Sequence, residues 1–244
     1  MRLITLLMVL VALPTLADEK NPDPWEGFNR SMFKFNQKAD DYVLRPTATG
    51  YNKVVPKPGR TAISNMFSNV GEVKTIVNDV AQLKLLQAGA DLTRFVINTT
   101  VGFFGVFDVA TKIGLQQHQE DFGQTLGYWG VPSGPYLMLP FLGPSNVRDA
   151  TGVGIEYTAN ISYGNLGRND AEDASLAVLY GVSKRAELLE LDVEGLVKGD
   201  PYVFIRSFYM QRREFLINDG QTQADFGDDD WDDFDDDWDE DWDE

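Results

Sequence analysis

GQTLGYWGVPSGPYLMLPFLGPSNVRD, residues Gly123 to Asp149, makes two demands that conflict in a water-soluble domain. Between Gly127 and Pro144 eight of eighteen residues are glycine or proline, which forbids a long regular helix or a central strand. Loops of that kind normally run through water with small polar side chains. Here the remaining residues are mostly large and apolar: Tyr128, Trp129, Tyr136, Leu137, Met138, Leu139, Phe141 and Leu142. The segment therefore requires apolar surroundings, and the rest of the chain must supply them.

Outward from this stretch the pattern is helical. Trp25, Phe28, Met32, Phe35, Ala39 and Tyr42 recur at steps of three and four, one face of a helix that Arg45-Pro46 is expected to stop. A second helix is expected from about Gln87 to Thr100. It runs into VGFFGVFDVA, where seven of ten residues are apolar and Asp108 is the single charge. SLAVLYGVSKRAELLELDVEGL reads as a further amphipathic helix. Asp200 and Pro201 have the character of an N-cap and first helical position, and Gly220 that of a helix end. On this last helix Ile205, Phe208, Tyr209 and Leu216 face one way and Arg206 and Arg213 elsewhere. β-branched alternation is nearly absent, so the fold class is all-α, one domain with a tail.

The first residues, MRLITLLMVLVALPTLA, combine a basic start, a short apolar run and small residues before Ala17. The run is well short of the roughly 20 residues that span a bilayer. It reads as a secretory signal cleaved between Ala17 and Asp18. The expected divisions are 1–17 signal, 18–224 helical domain and 225–244 tail. The net charge of −17 is concentrated, because the last twenty residues carry fourteen acids and no base and the remainder sums to only −3. With no basic patch, nucleic acid is a poor partner. In the tail Trp231, Phe234, Trp238 and Trp242 are spaced by three, four and four. Like charges keep such a tail disordered, yet a basic partner that neutralised the acids would let those rings dock along one helix face.

Catalytic chemistry is not announced. The single histidine, His118, sits among glutamines, there is no cysteine, and neither a G-x-S-x-G elbow, a GxGxxG nor a P-loop occurs. Glu120-Asp121 reads as a solvated or capping pair. No cofactor or metal is expected, and the enzyme reading lacks a nucleophile.

Four motifs carry a family resemblance: DPWEGFNRSMFKFN (Asp23 to Asn36), TRFVINTTVG (Thr93 to Gly102), EDFGQTLGYWGVPSGPYLMLPFLGPSNVRD (Glu120 to Asp149) and DPYVFIRSFYMQRR (Asp200 to Arg213). In this order, over roughly two hundred residues, the chain resembles the MlaA/VacJ family of Gram-negative outer-membrane proteins. The resemblance implies a flat helical ring in the inner leaflet of the outer membrane, beside a trimeric porin. Such a ring removes misplaced phospholipids from the outer leaflet through a central amphipathic channel and passes them to a periplasmic lipid carrier. The alternative is a porin-associated structural adaptor without a conduit. Family members are typically acylated on a cysteine after the signal. Ala17-Asp18 stands there instead, so the expectation is an unacylated chain held at the periplasmic face by apolar helix faces, a porin, or both. Within this frame Gly127 to Pro144 is expected to be a hairpin along the channel. Gly127, Gly130 and Gly134 would supply turns and hinges, and Tyr128, Trp129, Tyr136, Leu137, Leu139, Phe141 and Leu142 lipid contacts. Arg148 and Asp149 would form a polar lip. A hydrophobic loop plugging the core is the competing reading.

Overall fold

The computed structural model describes residues 23–159, 161, 167, 169–189 and 199–220. Ala17 and Asp18, and the tail with Trp231, Phe234, Trp238 and Trp242, lie outside the described residues. Helix α1 spans Glu26–Ala39, but Arg45-Pro46 does not end it. The chain passes through a wide π turn, Asp40–Leu44, into α2, Arg45–Val54, with Pro46 in its first turn. Arg45 N–H bonds the Asp40 carbonyl, five residues back. That wide turn accommodates the N–H that proline lacks, so the chain continues helical through a position that would break an ordinary turn. Two parallel contacts from Arg185 to Asp40, 2.6 and 2.8 Å, fasten this turn to a later helix.

Helices α3, Lys57–Ala81, and α4, Leu85–Thr100, pack against one another and invert the usual rule of burial. On α3 the buried positions are Phe67 and the polar Asn69, Glu72, Thr75, Asn78 and Asp79, while Met66, Val70, Val73, Val77 and Val80 are exposed. On α4, Asp91, Arg94 and Asn98 are buried while Leu85, Leu86, Leu92 and Val96 are exposed. Both stripes run at helical spacing, so the helices are amphipathic with the polar face turned inward. Buried polar groups must then find partners. Arg94 Nε donates to Glu72 Oε1 at 3.1 Å, and Asn69 Nδ2 to Thr99 Oγ1 at 2.9 Å. The apolar belt continues past α4 in the loop with Val101, Phe103, Phe104 and Phe107, all exposed. Phe103 and Phe104 hold left-handed backbone angles, φ 54° and 56°, which turn both rings outward in an edge contact. Residues of this type rarely adopt that conformation. Among the described residues no helix is long and apolar enough to cross a membrane.

After the short α5, Val109–Lys112, and α6, Phe122–Tyr128, come strands β1, Tyr136–Leu139, and β2, Gly143–Asn146, then α7, Val147–Thr158. Each of these helices opens on a side-chain cap, from Asp108, Asp121 and Asn146 respectively. Helices α8, Asp170–Leu188, and α9, Pro201–Ile217, complete the described chain. Asp200 caps α9 and Gly220, at φ 80°, follows it, as the sequence indicates. α6 and α7 approach so closely that a Cβ on Gly152 would lie 2.5 Å from the Gly123 nitrogen, which restricts the crossing to glycine.

The all-α class holds, with one small antiparallel hairpin between the helices. Its apolar residues contribute a compact core: Tyr136 and Met138 pack with Tyr202 of α9, flanked by Met32, Phe33, Ile205, Tyr209 and Met210. The free edge of β1 is satisfied from α1. Asn29 Nδ2 donates to the Tyr136 carbonyl at 3.0 Å, and Asn29 Oδ1 accepts from Met138 N at 2.9 Å. Two helical turns on, Asn36 does the same for Leu139 O and Phe141 N, at 2.9 and 2.8 Å. Two asparagines thus replace a third strand and clamp the hairpin to α1.

Candidate functional site

The hairpin, α3, α7 and α9 converge on two adjoining cavities. One has an apolar side, Leu139, Leu142 and Pro144 of the hairpin and Val153 of α7, facing Ser145, Asp149 and Glu156. The other is lined by polar groups, among them Ser68, His118, Lys184 and Arg212. Lys74, Asp121, Tyr209 and Arg213 line both. A space with one apolar side and a polar space therefore share one charged wall.

That wall is built from charge pairs. Arg213 of α9 reaches the α6 cap residue Asp121 through two contacts, 2.5 and 2.8 Å, and its Nε lies 2.8 Å from Asp149 Oδ2. Tyr209 O–H donates to the same Asp149 oxygen at 2.5 Å. Burial alone would raise the Asp121 carboxyl, but the Arg213 guanidinium outweighs it and holds the group below the usual carboxylate range. Arg213 is likewise kept charged against its own burial by Asp121 and Asp149. Burial and the Asp149 carboxylate push the Tyr209 hydroxyl upward, so it serves as a donor throughout the physiological range. Lys74 lies 3.6 Å from Glu156, whose carboxyl is raised by burial and lowered in part by Lys74.

Behind the polar cavity lies a second acidic group. Asp79 of α3 and Asp91 of α4 are fully buried, with both Asp79 oxygens and Asp91 Oδ2 lacking another hydrogen-bond partner. Burial first, and then the neighbouring Asp91 carboxyl, raises the Asp79 carboxyl to about 8. The other Asp91 oxygen lies 3.1 Å from His118 Nδ1, so His118 links this pair to the cavity wall.

The residues expected at the hairpin separate into three groups. Leu139, half-buried, and Leu142, 69% exposed, stand at the mouth of the apolar cavity. Tyr136 is fully buried in the core, while Leu137 is half-buried on the alternate face of β1. Tyr128, Trp129 and Phe141 are exposed: Trp129 Nε1 donates to Ala81 O at 3.0 Å, and Phe141 meets the Phe35 ring edge-on at 5.2 Å. Gly127 belongs to α6 and faces Ile217 and Arg148, whereas Gly130 and Gly134 sit in turns at φ 83° and 64°. Arg148 and Asp149, expected at a polar lip, are buried at 7% and 6% exposure and joined at 3.0 Å. Their place is inside the ionic cluster, because Asp149 also accepts from the α7 cap residue Asn146 and from Tyr209. Glu120-Asp121 divides: Asp121 caps α6, while Glu120 is buried against Gln82 at 2.9 Å and Lys84 at 3.3 Å. Arg213 points into the structure, not away from it. For the buried polar face of α3 the signal is the run NVGEVKTIVNDVAQ, where valines mark one helix stripe and Asn69, Glu72, Thr75, Asn78 and Asp79 mark the other.

A family model described as MlaA lipoprotein matches residues 21–216. The intermembrane phospholipid transport system lipoprotein MlaA of Shigella flexneri is 35% identical, with 90% of this chain and 88% of that protein covered. Its counterpart in Escherichia coli K12 is 34% identical over the same shares. An uncharacterized protein of Rickettsia typhi is 38% identical over 80% of this chain and 78% of its own length. In three dimensions the chain is similar, with TM-score 0.70 and 37% identity, to a solved structure from work on the structural basis for maintenance of bacterial outer membrane lipid asymmetry. The match covers 80% of this chain and 99% of that one. With the family model spanning most of the chain, and relatives at 34–38% identity matched over most of their own length, the chain belongs to the MlaA lipoprotein family.

Proposed function

We propose that this chain moves phospholipid out of the outer leaflet of the Gram-negative outer membrane, through the two adjoining cavities, towards a periplasmic carrier, and so maintains lipid asymmetry. The observation that carries the reading is the shared wall: acyl chains match Leu139, Leu142 and Val153, and a headgroup matches the polar side. The outward stripe of Met66, Val70, Val73, Val77 and Val80, continued by Phe103, Phe104 and Phe107, suits a protein seated in the apolar part of one leaflet. The sequence contains no cysteine, so this reading assigns membrane attachment to that belt and to a neighbouring porin trimer and not to an acylated residue. No cofactor or nucleotide enters the scheme, and the chain acts as a conduit and not as an enzyme.

The cysteine-free chain is a clean background for the test. Leu139→Cys in the apolar cavity and Ser68→Cys in the polar one, each carrying a photoreactive label, should both capture phospholipid in cells. Ser175→Cys, on the exposed face of α8, should capture little. A structural adaptor without a conduit would give no capture from Ser68, and that result would sink the proposal.

A further inference from the structure

We propose that Lys74, Lys184 and Arg212 form a phosphate-binding rim in the polar cavity that receives the phosphodiester of a lipid headgroup while the acyl chains lie against Leu139 and Leu142. The inference rests on the conduit reading and adds to it the group that is recognised.

The cations and anions lining this cavity are not balanced. Of its two acids, Asp121 is taken by Arg213, and Glu120 by Lys84 and Gln82 from outside the lining. Arg213 in turn is committed to Asp121 and Asp149. Three cations remain. Arg212 is exposed on the wall with no acidic partner among the described residues. Lys184 pairs with Glu187 at 3.0 Å, with side-chain exposures of 40% and 46%, a solvated pair of the kind that exchanges readily. Lys74 stands 3.6 Å from Glu156, longer than a direct charge-assisted hydrogen bond. If Lys74 turned to another anion, Glu156 would keep one partner, because its other oxygen accepts from Phe122 N at 2.7 Å. The surplus of positive charge is local, since the chain outside the tail is slightly acidic.

Lys74 also lines both cavities, at the boundary where a phospholipid changes from apolar to polar. Phosphate oxygens at that boundary would meet Lys74 first, with Lys184 and Arg212 beyond. A neutral lipid of the same chain length would bury its tails equally well and leave the three cations unmatched. Recognition is therefore of the phosphate and not of the acyl chains, and several charge-assisted contacts make a preference on the order of tenfold reasonable. Free phosphate has the same chemistry, but a lipid phosphate is delivered at high effective concentration by its anchored tails.

The test uses the full chain in lipid vesicles with the photoreactive label at Leu139→Cys. Vesicles contain either phosphatidylglycerol or diacylglycerol of identical chains as the labelled species. The expected result is about tenfold more capture of the phospholipid, falling towards parity in Lys74→Gln/Arg212→Gln. Arg212→Gln alone, on an exposed residue, should fall part of the way, and thermal unfolding should show that it is folded. Equal capture of the two lipids by the unsubstituted chain, or an unchanged preference in the double variant, overturns the proposal. Inorganic phosphate at the concentration of the lipid phosphate should not compete. If it erases the preference, the cations read a free anion and the headgroup assignment falls. Failure to capture either lipid would instead remove the conduit reading on which the proposal stands.

Discussion

Replacing Asp79 with asparagine should stabilise the protein at neutral and alkaline pH, an unusual outcome for a fully buried acid. Asp79 faces Asp91 across the α3–α4 contact, with Glu120 adding negative charge and Lys84 partly offsetting it. Its carboxyl is raised from 3.8 to about 8, first by burial and then by Asp91. The native state therefore holds a proton that the unfolded chain releases near pH 4. Stability contributed by that proton is present below the unfolded value and is lost as pH rises towards 8, at up to about 1.4 kcal/mol per pH unit. The span amounts to a few kcal/mol, against a total stability of about 5–15 kcal/mol. The substituted asparagine is nearly isosteric, never ionises, and its amide can donate to the Asp91 oxygen that has no other partner. The expected melting temperature of Asp79→Asn in detergent micelles is close to that of the parent at pH 5 and several degrees above it at pH 8, with a flatter pH dependence between. Asp91→Asn should gain less, because Asp91 also engages His118. A variant that melts earlier than the parent at pH 8, with an unchanged slope, would mean that Asp79 is ionised in the native state and that burial beside Asp91 does not hold its proton.

Arg213→Gln removes one partner from Asp121 and Asp149 together and leaves buried carboxylates, which should cost about 3–5 kcal/mol in chemical unfolding. Removing the asparagine clamp, as Asn29→Ala, strands the Tyr136 carbonyl and Met138 N–H and should cost about 1–3 kcal/mol for each group, with faster proteolysis between Gly130 and Gly143 as the readout. In the outward belt, Val77→Asp and Phe104→Asp should each weaken membrane retention at least tenfold in a flotation assay, since burying such a side chain is worth about 1.5–3 kcal/mol, while secondary structure measured by circular dichroism stays intact. Gly130 carries φ 83° in open space, so Gly130→Ala should cost only about 1–2 kcal/mol, whereas Gly152→Ala, with its Cβ at 2.5 Å from Gly123 N, should separate α6 from α7 and lower expression.

What the linear order of residues determined was class and local form. The steps of three and four in Trp25 to Tyr42, the Asp200-Pro201 start and the near absence of strand alternation establish an all-helical chain, because helix periodicity and capping are properties of neighbouring residues. The Gly-Pro-apolar run at Gly127 to Pro144 likewise announces irregular backbone in apolar surroundings. Which of its side chains reach a cavity was not legible, since Leu139 and Leu142 are distinguished from Tyr136 only by the β1–β2 register and by Asn29 and Asn36 on a helix more than a hundred residues away in sequence. A similar limit holds for charge. The amphipathic pattern of α3 shows that one face is valine and the other polar, but an amphipathic helix can turn either face inward. Only packing against α4, with Glu72 meeting Arg94 and Asp79 meeting Asp91, decides that the polar face is the buried one. Arg148 and Asp149 pair with each other at the start of α7, but what encloses them is Arg213 and Tyr209 of α9, and Arg213 in turn meets Asp121 at the start of α6, partners that the linear order does not place side by side. Partners distant in sequence leave no periodic trace, so the tertiary structure alone made them one wall.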